Sequence, residues 1–293
     1  MRACAKIILF GEHVVVYGRP AIAVPIKELF TEVNLEDSDS TNFETNLQLD
    51  VSEEQKLNLL ISFIKIRLCI KNNFRVIISS NIPVKSGFGS SASLSVALIR
   101  TFSEKLNLNL PIEQINTLAF EAEKIFHGTP SGIDNTVISY ERTIFFRDKV
   151  AELIPMHKAL NLIIANSGPR PSTKEVVAEL REMYSNNKEK YEQIYDKIEK
   201  ITSQAKQALT NGELTLLGKL MNENHKALQM LELSSEKLDV MCSDVIKAGA
   251  FGAKLSGSGR GGNMIALVGN STINAVTDAL SKYSDSISRV AIQ

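Results

Sequence analysis

Tryptophan is absent from the 293 residues, and aromatic side chains make up only 6% of them. A chain so poor in rings has little to stack on single-stranded bases. An excess of either charge is lacking too: 33 Lys and Arg face 33 Asp and Glu, for a formal net charge of zero. That excludes a whole-surface field for nucleic acid or anionic lipid, while leaving room for a local anion site. No apolar run approaches the ~18 residues that a membrane helix needs. Cysteine occurs three times, as the widely spaced Cys4, Cys69 and Cys242. An odd, scattered set is neither a disulfide framework nor a paired metal-ligand spacing, and a reducing cytoplasm is its natural compartment. Met1–Lys6 runs straight into a strand-like segment and reads as neither signal nor transit peptide. What is present is a balanced composition, 44% hydrophobic and 23% charged. That suffices for a sizeable core, and the length favours two domains.

Along the chain, Lys6–Phe10 and Phe74–Ser80 are apolar and β-rich, as are the short runs Val14–Tyr17 and Ala21–Ile26, and Thr31–Leu35 alternates as a half-buried strand would. Leu57, Leu60, Ile61, Ile64 and Leu68 recur at helical spacing, which predicts a helix over Glu53–Ile70. Helical periodicity resumes after the Gly/Ser-rich stretch Asn81–Ser93, and Pro111 opens a further helix ending near His127. The β-rich runs Val137–Tyr140 and Thr143–Arg147 follow, and charge with a proline at Asp148–Pro155 marks a boundary. The expected division is 1–150 and 151–293. The second half reads as a buried strand at Leu160–Ala165, four long charged helices, and two β-rich runs around a second Gly-rich loop. A helix and a last strand close an α+β chain.

Four segments carry chemistry. The first is Pro83-Val84-Lys85-Ser86-Gly87-Phe88-Gly89-Ser90-Ser91-Ala92, between a predicted strand and a helix start. Its glycines allow close backbone approach to a bulky anion, and the free N–H groups of a helix start favour that anion. The same string also suits an ordinary serine-capped turn. It is not the common P-loop, since no Gly-Lys-Ser/Thr follows at the required spacing. The second segment runs from Glu123 to Asn135. Glu123 and His127 share one helix face, too few for a zinc set, but one carboxylate can assist a Mg²⁺ held mostly by phosphates. Asp134, after a Pro-Ser-Gly turn, is either a carboxylate held in a fixed place or a turn aspartate bonding its own backbone. The third, Lys6–His13, sets a lysine in an apolar strand, either exposed by alternation or aimed into a site. The fourth, Lys254-Leu-Ser-Gly-Ser-Gly-Arg-Gly-Gly-Asn263, is a floppy turn or a second backbone cradle.

Taken in order, these segments resemble the motifs of the galacto-, homoserine-, mevalonate- and phosphomevalonate-kinase (GHMP) superfamily over nearly the whole chain. Lys6–Gly18 approximates the first motif, Pro83–Ala92 matches the second with Phe88 in place of leucine, and Lys254–Gly262 matches the third. The strings Glu12-His13-x-Val15-Val16-Tyr17-Gly18 and His127-Gly-x-Pro-Ser-Gly-x-Asp134-Asn135 point to the mevalonate-phosphorylating branch. The resemblance implies a two-domain α+β fold with its active site in the interdomain cleft. It implies ATP and Mg²⁺, and transfer of phosphate to (R)-mevalonate on the route to isoprenoids. ATP would be bound by Pro83–Ala92, with Ser91 and Glu123 on the metal. Asp134 would be catalytic with Lys6 beside it, and Glu12, His13 and Thr173 would contact mevalonate, His13 as a hydrogen-bond donor. Members of the mevalonate-phosphorylating branch are often dimers, which makes a homodimer the implied assembly, with no contact patch assigned. No nucleic acid or membrane partner is implied.

Two other readings stand beside this one: a superfamily kinase acting on phosphomevalonate, a sugar or homoserine, and a ligand sensor without turnover. Lys6, Ser91 and Asp134 are all present, which a sensor would not need. The chain departs from the superfamily at Ala3-Cys4-Ala5-Lys6, where Ala-Pro-Gly-Lys is usual. It departs again at Arg260, a cation in the third glycine loop expected to bind phosphate rather than pair with a local carboxylate.

Overall fold

The computed structural model describes residues 1–83, 86–169 and 171–293, so Val84 and Lys85 of the first glycine loop lie outside the described residues. The chain forms two compact units, and they interleave: Met1–Lys6 with Pro25–Arg142, and Ile7–Val24 with Thr143–Gln293. Two strands, β1 (Arg2–Phe10) and β2 (Ala21–Asp37), therefore contribute residues to both. Ala21–Ile26 and Thr31–Leu35, expected as separate runs, are one strand: the adjacent polar residues between them, Lys27 and Glu28, are both exposed, so both faces of the strand are open there and the chain stays extended through them.

In the first unit, Thr31–Asp37 of β2 pairs antiparallel with β4 (Phe74–Ser80), and β3 (Asn42–Thr45) lies parallel to β4 on its other edge. Four helices pack with them: α1 (Val51–Arg67), α2 (Ser90–Lys105), α3 (Ile112–His127) and α4 (Ile133–Tyr140). Helix α1 begins where Asp50 and Glu53 cap each other's backbone N–H reciprocally. Helix α4 replaces the strand expected at Val137–Tyr140. Gly132, at φ 92°, starts the turn, and Ile133, Asn135, Thr136, Val137, Ile138 and Ser139 are all buried. A short helix buried nearly all round leaves no apolar stripe to read, and its β-branched residues mimic a strand.

In the second unit, Ala21–Ala23 pairs with β5 (Ile144–Arg147), which turns into β6 (Val150–Leu153) within the segment expected only as a boundary. A separate antiparallel sheet runs in the order β10 (Ile287–Ile292), β7 (Leu160–Asn166), β9 (Asn263–Val268), β8 (Gly252–Leu255). Helices α5 (Thr173–Asn186), α6 (Lys188–Asn211), α7 (Leu214–Met230), α8 (Glu236–Lys247) and α9 (Ile273–Ser281) complete the unit. Its core gathers Ile163, Ala165, Tyr195, Ile198, Leu228 and Met241, and takes in Val14 from the turn after β1. Each buried Val, Ile, Leu or Met side chain of this kind contributes ~1.5–3 kcal/mol by leaving water.

Candidate active site

In the first unit, Lys6 projects from β1 and is nearly buried, with its Nζ 3.0 Å from Oδ2 of Asp134 on α4. Of the two sequence readings of that lysine, the structure takes the one in which it is aimed at a partner. The backbone N–H of Lys6 donates to the Phe88 carbonyl at 2.9 Å, which fastens β1 to the first glycine loop. Gly89 then opens α2 in the left-handed region at φ 73°. A Cβ there would lie 3.0 Å from both Cγ and Cε of Lys6 and 3.2 Å from Ile138. Glycine is thus what lets the lysine stem lie against the helix mouth. Among the described residues no side chain caps α2, an arrangement in which the first amides of a helix suit a phosphate.

Ser91, in the first turn of α2, donates its hydroxyl to Oε2 of Glu123 at 3.1 Å and lies 3.1 Å from Nε2 of His127. Glu123 is buried, and its other oxygen, Oε1, has no hydrogen-bond partner among the described residues. Burial, and behind it the charge of Asp134, pushes its carboxyl up to about 8. A carboxyl so placed ionises readily only beside a compensating cation, and the two oxygen donors suit a hard one such as Mg²⁺. Among the described residues no cluster of three or more His, Cys, Asp or Glu could hold a metal by itself.

In the second unit, β1 ends in a turn that only glycine permits: at Gly11 a Cβ would sit 2.3 Å from the Pro20 carbonyl oxygen. Glu12 follows, buried, and its carboxylate pairs with the ammonium of Lys254 on β8, which also donates to the Leu255 carbonyl at 2.6 Å. His13, at φ 64°, starts the short 3₁₀ turn Val14–Tyr17. Its Nε2 meets the Ser258 carbonyl at 3.0 Å, so the third glycine loop receives its N–H. Burial pushes this imidazole down to about 4, and it is neutral at physiological pH. A neutral ring has one N–H, and Nε2 uses it on the Ser258 carbonyl, which leaves Nδ1 without a proton to donate. Tyr17 closes the turn by packing its ring 5.1 and 4.9 Å from those of Tyr184 and Tyr195. Arg19 adds ion pairs to Glu192, Asp196 and Glu199 of α6. Thr173 stands exposed on the first turn of α5, within the Ser172–Glu175 capping box.

Residues 57–142 match the family described as GHMP kinases N terminal domain, and residues 205–285 match GHMP kinases C terminal. A Mevalonate kinase of Pyrococcus horikoshii is 36% identical to this chain, over 90% of it and 87% of that protein. The chain belongs to the mevalonate kinase family. Among solved structures, L. major mevalonate kinase in complex with R-mevalonate aligns with a TM-score of 0.90 at 32% identity, covering 100% of this chain and 95% of that one. Methanococcus jannaschii Mevalonate Kinase aligns with a TM-score of 0.87 at 28% identity, covering 100% and 98%. The α+β kinase fold expected from the motifs is thereby established.

Within this family frame, Arg260 departs from its expectation. Its guanidinium is held by the Glu179 carboxylate and by the Glu232 carbonyl at 3.0 Å, so it pairs locally instead of waiting for phosphate. The Cys4-Ala5 departure is absorbed without a break in β1: both residues are buried, and burial pushes the Cys4 thiol up to about 12, leaving it inert. Lys254 was missed as a partner of Glu12, although its place in the apolar run beside the third glycine loop was a signal. The i,i+4 pair of Glu123 and His127 is visible in the sequence, but nothing in it announces the Ser91 hydroxyl that reaches His127 from another helix.

Proposed function

We propose that this protein transfers the γ-phosphoryl group of ATP to the primary alcohol of (R)-mevalonate, giving mevalonate 5-phosphate for isoprenoid synthesis. The observation that carries this reading is the 3.0 Å Lys6–Asp134 pair beside a Gly-Ser-Ser helix start, in a chain of the mevalonate kinase family. Phosphoryl transfer is mainly positioning and stabilisation of charge. Asp134 accepts the hydroxyl proton as the alcohol oxygen bonds to the γ-phosphorus and the bond to the β-bridging oxygen breaks. Lys6 holds that carboxylate in place and offers a positive charge to the transferring group. The backbone of Ser86–Ala92 cradles the phosphates, with Pro83, Val84 and Lys85 leading into it. On the acceptor side, Nδ1 of His13 takes a substrate hydroxyl, Glu12 holds Lys254, and Thr173 offers its hydroxyl from α5.

Ser91 and Glu123 are the residues that would hold Mg²⁺, which when bound neutralises the β- and γ-phosphate oxygens. Ser91→Ala and Glu123→Gln should each raise the Mg²⁺ concentration needed for half-maximal rate. The double variant should fall short of additivity because both act on one ion. Mg²⁺ titrations of initial rate check this, and unchanged curves in both single variants return Glu123 to an ordinary helix face.

The free cysteines favour a reducing compartment, and we place the protein in the cytoplasm; among the described residues no helix is long and apolar enough to cross a membrane. The substrate reading is tested by ADP release with mevalonate, phosphomevalonate, galactose and homoserine at one concentration. Mevalonate should be turned over fastest. Faster phosphorylation of any of the other three rejects it.

A further inference from the structure

We propose that Arg100 is a positioning residue for phosphoryl transfer, holding the helix that carries Asp134 against the strand that carries Lys6. The inference rests on the function proposed above and adds a residue that no motif marks. Arg100 lies in α2, and its side chain is largely buried. Its Nη1 donates to the Arg2 carbonyl of β1 at 3.0 Å and pairs with the Glu141 carboxylate at 2.5 Å. Its Nη2 donates to the Ser139 carbonyl in the last turn of α4 at 2.8 Å.

One guanidinium thus ties three elements together, and each carries part of the proposed chemistry. The strand β1 brings Lys6, α2 brings Ser91, and α4 brings Asp134. The short helix is the weak member. An eight-residue helix does not hold its own place or shape in water, and its last carbonyls lack intrahelical partners. Arg100 supplies a donor to one of those carbonyls and a cation where the helix dipole favours one. Glu141, left-handed at φ 50° just past the helix, closes the clamp from the other side. A second tie runs parallel to it: the Ser93 hydroxyl donates to the Ala3 carbonyl at 2.8 Å. Only a planar fork reaches two carbonyls and a carboxylate at once, so lysine keeps the charge and loses the geometry.

The position of Asp134 along the axis of α4, and with it the Lys6–Asp134 distance, is therefore set at the opposite end of the helix. Arg100 touches neither reacting group. Loosening the clamp should shift the pair out of register while leaving both substrates bound.

Arg100→Lys and Glu141→Gln test this, with kcat, both KM values and Tm measured for each. Arg100→Lys should lower kcat by ~10–100-fold, the scale of an ångström misplacement. KM for ATP and for the acceptor should stay within about twofold. Glu141→Gln, which weakens one arm of the clamp, should lower kcat by less with the same unchanged KM values. Thr101→Val is the control for mere loosening of α2. The Thr101 hydroxyl is buried and donates to the Val33 and Ala97 carbonyls, away from α4, so this variant should keep wild-type kcat. Unchanged kcat in both Arg100→Lys and Glu141→Gln overturns the proposal, as does an equal kcat loss in Thr101→Val. Wild-type turnover of mevalonate is measured first. Failure there rejects the substrate reading alone, since the Arg100 result is read on whichever acceptor the wild type phosphorylates.

Discussion

Asp134→Asn should cost ~10²–10⁴-fold in kcat, the range of general-base assistance, while ATP binding survives. The substitution keeps the shape of the side chain and its place in the first turn of α4, but removes both the proton acceptor and the charge that faces Lys6 at 3.0 Å. Two losses then act together. The alcohol has no base within reach, and the Lys6 ammonium, nearly buried, has no counter-charge beside it. The nucleotide loop is a different stretch of chain, joined to β1 through backbone and stem contacts that the substitution leaves alone. Steady-state kcat together with the ATP dissociation constant, by calorimetry, separates the two effects. A kcat near wild type would remove Asp134 from the chemistry, and a parallel loss of ATP binding would make its role structural.

The second large effect concerns stability. Lys254→Met should destabilise the protein by ~3–5 kcal/mol, the usual cost of stripping one partner from a buried ion pair. Lys254 and Glu12 are both essentially inaccessible to water, and the ammonium also serves the Leu255 carbonyl. Methionine fills most of the same volume, so cavity formation contributes little. What remains is a carboxylate deprived of its cation in a dry place. Replacing Glu12 by Gln in the same chain should recover much of the loss, because the pair's net contribution is far smaller than the cost of breaking it. Urea unfolding of the two single variants and the double variant measures this cycle. Single-variant losses below ~1 kcal/mol would mean that water reaches the pair.

Much of this protein was legible before any coordinates. Phe74–Ser80 is a strand at its expected bounds, and the four long charged helices expected in the second half are α5 to α8. The reason is local: apolar spacing, caps and glycine punctuation act within a few residues of themselves. The same holds for the glycine loop ahead of α2, where Gly89, Ser90 and Ser91 announce a helix mouth by their order alone. Local rules misled at α4, where burial on nearly all sides erased the periodicity, and at the edge strands β3 and β6, too short at four residues each to stand out.

What only the tertiary structure decided is which distant groups meet. Ile7–Val24 groups with the second unit because Ala21–Ala23 is hydrogen-bonded to Ile144–Phe146, far along the chain. The N–H of His13 is taken up by the Ser258 carbonyl of a loop 245 positions away. Arg260 is neutralised by Glu179 on α5, and Lys254 by Glu12 beyond β1. In each case the residue type was visible and its role was not. A side chain's charge state and free valence depend on the partners and the water left around it after packing, and no neighbour in the sequence records either.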